Sequence, residues 1–268
     1  MLLGLGLVTL IMLRWFEHSQ VYHPSRVLEA TGAELGRPVQ DVYFRTEDGI
    51  QLNGWFFPAD TNTTRSGLVV LLCHGNGGNI SHRLDMAAAL LATGVNIFLF
   101  DYRGYGRSHG RPSEQGTYRD AESAYEWLKQ KGFQGKDILL FGESLGGGVV
   151  AELATRVGVG GLVLQSTFTC IPDLGAELFP WLPVHWLCRI KYDTLSKLPR
   201  VKAPVLVMHS RNDNLVRFQH SQRNFAAANE PKLFCELTGE HNDPLMNRAQ
   251  FIADFERFLA LISTANGH

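Results

Sequence analysis

Gly142-Glu143-Ser144-Leu145-Gly146 is a G-x-S-x-G pentapeptide set between an apolar run, DILLFGE (137–143), that reads as a strand and a segment, 145–156, with the period of a helix. At such a strand-to-helix turn a serine takes strained dihedrals and projects Oγ from the sheet edge. Small residues two positions to either side let the two backbones pass closely. The N–H groups of the helix that follows face any anion formed beside that hydroxyl. The chemistry this suits is attack on a carbonyl carbon. A phosphate-binding loop is excluded, because G-x-x-x-x-G-K-[ST] needs a lysine after its second glycine and none lies near.

A serine hydroxyl is barely ionised at neutral pH, so it needs a general base, and the base needs a carboxylate to hold its tautomer. Asp213, in HSRNDNLV, follows the predicted strand PVLVMHS (204–210), and His241, in TGEHNDP, follows KLFCEL (232–237). Loops at the carboxyl ends of parallel strands converge on one crevice. The chain order Ser144, Asp213, His241 is also the order that the elbow motif requires. Position selects His241 among ten histidines. His209 falls inside a strand and is expected to be buried, while His18, His23, His82, His220 and His268 lie elsewhere than after the last strand. Asp243 is two residues from His241, too near to reach Nδ1 while the ring faces the serine. The developing oxyanion needs backbone donors, each worth about 3 kcal/mol in the barrier. One is Leu145, directly after the serine. The second is the main chain of Asn76, in the HGNGG loop (74–78) that follows the third strand; His74 is expected to organise that loop.

These loops require a sheet. Beyond residue 40, Val42 to Arg45 and Leu52 to Phe57 flank Glu47-Asp48-Gly49 as an edge hairpin. LVVLLCH (68–74), VNIFLFDY (95–102), 137–143, GLVLQS (161–166), 204–210 and 232–237 then read as strands covered on both faces. Segments 81–92, 118–131, 145–156, 218–228 and 249–262 carry the 3.6-residue period of amphipathic helices. The pattern predicts an α/β fold: a mostly parallel eight-stranded sheet with helices on both faces. Thr167 to Ala203 breaks the alternation with four prolines and an uncharged stretch, LFPWLPVHWLC (178–188), and is expected to be a short lid inserted in a domain spanning 21–268. Phe168, Phe179, Trp181, Leu182 and Trp186 are its candidates for the wall of an apolar acyl pocket.

Residues 1–20 stand apart as an N-terminal hydrophobic segment. LLGLGLVTLIML (2–13) runs into Arg14, Trp15 and Phe16 without a cleavage site, which suits an anchor better than a cleaved signal. Twelve residues make about 18 Å of helix against a hydrocarbon core of about 30 Å. The segment is therefore expected to associate with a membrane by lying shallowly with its aromatics at the headgroups, unless the natural start lies further upstream. Lys+Arg 25 against Asp+Glu 26 leaves a formal charge of -1, which argues against a nucleic-acid partner. The four cysteines form no C-x-x-C pair and are expected to be free, so no metal centre is expected.

Together HGNGGN (74–79), DYRGYGRSHGRPSE (101–114), GESLGG (142–147), Asp213 and His241 resemble the α/β-hydrolase-fold serine hydrolases, over residues 35 to 262. The likeness is nearer to the small branch with an N-terminal membrane segment, which includes protein depalmitoylases. The resemblance implies Ser144 as nucleophile, Asp213 as acid, His241 as base and Asn76 and Leu145 as oxyanion donors, with Asp101 and Arg103 organising loops. The chain departs from the depalmitoylases in having no N-terminal cysteine cluster, its first cysteine being Cys73. The reading that follows is hydrolysis of carboxylic esters or thioesters, the substrate a small-molecule or lipid-like acyl ester and no cofactor required. Amide, peptide or C–C bond hydrolysis, or acyl transfer, on the same residues is the alternative within enzymes. A membrane-tethered binding module is the alternative outside them.

Overall fold

The computed structural model describes residues 2–60 and 62–266, excluding the side chains of residues 2–7, 10, 265 and 266, which include much of the N-terminal apolar run. Eight strands among the described residues form one sheet: β1 (Gln40–Arg45), β2 (Gln51–Phe57), β3 (Val69–Cys73), β4 (Asn96–Phe100), β5 (Ile138–Glu143), β6 (Gly161–Gln165), β7 (Val205–Ser210) and β8 (Lys232–Leu237). Their spatial order is β1-β2-β4-β3-β5-β6-β7-β8. The β1–β2 and β2–β4 pairs are antiparallel and the rest parallel, so the hairpin closes one edge.

Side chains of the central strands alternate between two cores. On β3, Val69, Leu71 and Cys73 join the layer formed with α3 (Glu114–Gln130) and α4 (Leu145–Ala154). Val70 and Leu72 join the opposite layer, with α2 (Leu84–Leu91) and α8 (Arg248–Asn266). Burial on both faces is why these strands read as unbroken apolar runs. α3 starts four residues before its apolar period does, because the Ser113 hydroxyl caps it by accepting the Gly116 N–H.

The 167–203 insertion holds two short helices, α5 (Ile171–Leu178) and α6 (Val184–Leu187), and α7 (Phe218–Ala227) follows β7. The first helix of the chain, α1 (Leu2–Val21), continues past the apolar run and lays its second half along the insertion. Arg14 Nη2 donates to the Leu187 carbonyl at 2.8 Å, the Glu17 carboxylate accepts the Ile190 N–H at 2.8 Å, and Phe16 meets Phe179 edge-on at 6.0 Å. Among the described residues no helix is long and apolar enough to cross a membrane. All four cysteines are free.

Candidate active site

β5 ends at Glu143 and α4 begins at Leu145, leaving Ser144 alone to make the turn at φ 49°, ψ -111°. The bend is tight enough that a Cβ on Gly142 would sit 2.5 Å from Gly147 Cα, and one on Gly146 only 1.9 Å from the Cys73 carbonyl oxygen. The two glycines of the pentapeptide are therefore dictated by backbone approach.

The loops after β7 and β8 bring the other two groups to this serine. His241 Nε2 lies 3.0 Å from Ser144 Oγ, and His241 Nδ1 donates to Asp213 Oδ2 at 2.8 Å. With Nδ1 as donor, Nε2 is left to accept the serine proton. Asp213 Oδ1 accepts the N–H groups of Leu215 and Val216, at 3.0 and 2.8 Å. Burial would raise the pKa of this carboxyl, but hydrogen bonds from His209 and His241 outweigh it and hold Asp213 well below the usual carboxylate range.

Leu145 is the first residue of α4, so its N–H has no partner within the helix. Asn76 is fixed at three points: its carbonyl accepts the His23 N–H at 3.0 Å and the Tyr105 hydroxyl at 2.8 Å, and its side chain donates to the Val21 carbonyl at 3.1 Å. The segment after α1 thus straps the 74–79 loop, in a two-residue parallel pairing of His23–Pro24 with Gly77–Gly78. His74 is buried within this loop, its Nδ1 2.7 Å from the Gly75 carbonyl.

Ser144, Asn76 and His241 line two cavities. One, of about 390 Å³, is mainly apolar, walled by Phe168, Ile171, Leu174, Leu178, Phe179 and Leu215. The other, of about 260 Å³, mixes the glycine backbone of Gly75 and Gly77 with the polar side chains of His82, Arg83, Glu143 and Asn242. Arg83 grips Glu143 through two bonds, Nε to Oε2 at 2.8 Å and Nη2 to Oε1 at 3.0 Å. Burial would raise the Glu143 pKa, but the Arg83 charge overrides it and keeps the carboxylate ionised.

Of the five residues expected in the apolar wall, Phe168 and Phe179 are there and three are elsewhere. Trp181 and Trp186 are 73% and 92% exposed and border neither cavity, and Leu182 lines a smaller cavity beside α1. The reason is helical: α5 presents Ile171, Leu174, Gly175 and Leu178, spaced i, i+3, i+4 and i+7, to the site, while Pro180 and Pro183 carry the following tryptophans outward. Sequence reading missed that face, the contact of His209 with Asp213, and the strap at residues 21–24. An available signal for His209 was its place at the end of β7, four residues before the acid.

A mostly parallel sheet whose fifth strand turns sharply through a serine into a helix is the architecture of the α/β hydrolases, and the chain belongs to that family. The profile of the family described as serine aminopeptidase, S33, matches residues 64–191. The chain is 40% identical to the uncharacterized protein Rv2307c of Mycobacterium tuberculosis over 253 residues, 93% of this chain and 89% of that one. It is 31% identical to the alpha/beta hydrolase domain-containing protein WAV2 of Arabidopsis thaliana over 269 residues, 90% of this chain and 86% of the relative. Among solved structures, the Pyrococcus furiosus esterase Pf2001 superposes with a TM-score of 0.73 at 23% identity, covering 89% of this chain and 98% of its own.

Proposed function

We propose that this protein is a serine esterase, acting on carboxylic esters or thioesters through an acyl-enzyme on Ser144. The observation that carries this reading is the unbroken hydrogen-bond chain from Ser144 Oγ through His241 to Asp213, at 3.0 and 2.8 Å, beside cavities able to receive substrate. Ser144 Oγ bonds to the carbonyl carbon as its proton passes to His241 Nε2, and the oxyanion forms against the Asn76 and Leu145 N–H groups. As the intermediate collapses, Nε2 returns that proton to the leaving alcohol or thiol, whose bond to the acyl carbon breaks. Water then attacks the acyl-enzyme by the same route and releases the acid, with the proton restored to Ser144.

The apolar cavity supports an acyl ester in particular, with the acyl part against Phe168, Leu174 and Phe179 and the leaving group on the side of Arg83 and Asn242. The aminopeptidase description of the matched family suggests the other reading, but an aminopeptide substrate calls for a free carboxylate to hold its terminal ammonium. Among the described residues lining the two cavities at Ser144, Glu143 is the carboxylate, and it is taken by Arg83. Attachment to a lipid surface belongs to the same proposal. Ile11, Met12 and Trp15 on α1 and Trp181 and Trp186 on the lid are all exposed, and ring contacts through Phe16, Phe179 and Trp181 join the two groups.

The test is a fluorophosphonate probe together with short-chain p-nitrophenyl esters. Wild type takes the label and turns over the esters, while Ser144→Ala does neither. An unlabelled, inactive wild type would favour a binding module, and faster turnover of aminoacyl amides than of esters would favour the peptidase. Flotation with anionic and neutral vesicles tests the lipid surface: full-length protein that stays in the aqueous fraction with both refutes it.

A further inference from the structure

The apolar cavity at Ser144 does not end at the lid. Gln20, Val21, Ile171, Gly175 and Phe179 border both it and a smaller apolar cavity, of about 90 Å³, between α1 and the lid. That second cavity extends along α1 from Val21 and Gln20 back to Phe16 and Leu13, and Leu182 closes it from the lid side. The seven residue steps from Gln20 to Leu13 correspond to roughly 11 Å of helix axis. A small apolar passage of that length suits one extended hydrocarbon chain.

Three features shape the passage. Glu17, the acid beside it, has its carboxylate engaged by Arg14 and by the N–H groups of Arg189 and Ile190. Arg14 in turn donates to the Leu187 carbonyl, so both charged groups fasten α1 to the lid. At the junction of the two cavities stands Gly175, in the body of α5, where a Cβ would meet Val184 Cγ1 at 2.9 Å. A glycine inside a helix costs about 0.5–1 kcal/mol relative to alanine. Here its missing side chain lets Val184 of α6 pack against α5 at the junction.

We infer that α1 and the lid together form an acyl-chain channel, and that the N-terminal helix is a specificity element of the active site. The ligand is a single long unbranched acyl chain with its carboxyl carbon at Ser144. This rests on the esterase reading for its catalytic half, and the binding half can be tested without it.

For turnover, the ratio of kcat/KM for p-nitrophenyl dodecanoate to that for p-nitrophenyl acetate is measured for wild type, Leu13→Trp and Leu182→Trp, plugs entering from opposite walls. Each plug lowers the ratio at least tenfold. Ser196→Ala, at an exposed position of the same insertion that borders neither cavity, leaves it within twofold of wild type. For binding, Ser144→Ala is titrated with cis-parinaric acid, and adding either plug weakens its affinity at least fivefold. Unchanged ratios in both plugged proteins, with wild-type parinaric acid affinity, overturn the channel. If wild type hydrolyses no ester, the esterase reading fails while the parinaric acid titration still decides the channel: plug-sensitive binding upholds it, and plug-insensitive binding removes it.

Discussion

His209 Nε2 lies 3.2 Å from Asp213 Oδ2, the same oxygen that receives the His241 Nδ1 proton at 2.8 Å. Both side chains are fully buried, and Nε2 is also 2.9 Å from the Val216 carbonyl. Two oxygen acceptors around one ring nitrogen mean that His209 donates from Nε2 and fixes the Asp213 carboxylate from outside both cavities at Ser144. His209→Ala is expected to lower kcat about tenfold, near 1.4 kcal/mol, with KM little changed. His209→Gln, which keeps an N–H donor, recovers part of the loss. Steady-state kinetics on both variants check this. Equal losses in the two would reduce His209 to core filling.

The depressed pKa of Asp213 makes a prediction about stability against pH. Its folded value lies below the ordinary carboxylate value of about 3.9, so the ionised form stabilises the fold above that pH, and the contribution is lost as pH falls through the folded value. Asp213→Asn should melt a few degrees below wild type at pH 7, and the gap should begin to narrow only as pH drops below about 4. Its kcat should fall by about 10³–10⁴, since the amide favours the wrong imidazole tautomer. Melting curves from pH 3 to 8 would show it. A gap that widens toward acid contradicts the assignment.

Gly146→Ala should be among the most damaging single-methyl additions in the protein. The new Cβ would lie 1.9 Å from the Cys73 carbonyl oxygen, a backbone atom that cannot step aside alone. Roughly 3 kcal/mol is expected, or about 6–12 °C in Tm, with loss of fluorophosphonate labelling as the elbow shifts. A variant that melts and labels like wild type would show the turn to be far softer than its packing indicates.

Arg83 and Glu143 should be coupled in both stability and catalysis. Their side chains are 14% and 22% exposed, so the pair is partly screened, and removing one partner is expected to cost about 1–3 kcal/mol. Arg83→Ala also leaves an unpaired negative charge next to Ser144, where the proposed mechanism develops another. The double variant Arg83→Ala/Glu143→Gln should therefore recover both Tm and kcat relative to Arg83→Ala. A double-mutant cycle measures the coupling, expected near 1–2 kcal/mol; purely additive effects would refute it.

The strand pattern and the serine turn were legible in the sequence because both obey local rules. Buried parallel strands such as β3 and β5 must be apolar throughout, and a strained elbow must be flanked by small residues like Gly142 and Gly146. Asp213 and His241 were found from topology, since each follows a strand whose carboxyl end had to face Ser144. The lid was less legible. Large aromatics at Trp181 and Trp186 suggest a pocket wall, yet their burial depends on where Pro180 and Pro183 turn the chain, while α5 hides its useful face between prolines. Contacts across long stretches of sequence carry no local mark, so the 55-residue link from Asn76 to Val21 emerged only in three dimensions.

That link changes how shortened versions of this protein ought to be interpreted. The Ser25 N–H donates to the Gly78 carbonyl and Asn79 Nδ2 to the Val27 carbonyl, extending the attachment that begins at Val21 and His23. Removing residues 1–24 to ease purification would slacken the 74–79 loop along with them. An inert shortened protein would then say nothing about whether turnover requires lipid, whereas a cut made before Leu13 would leave both those loop contacts and the lining of the α1 cavity in place.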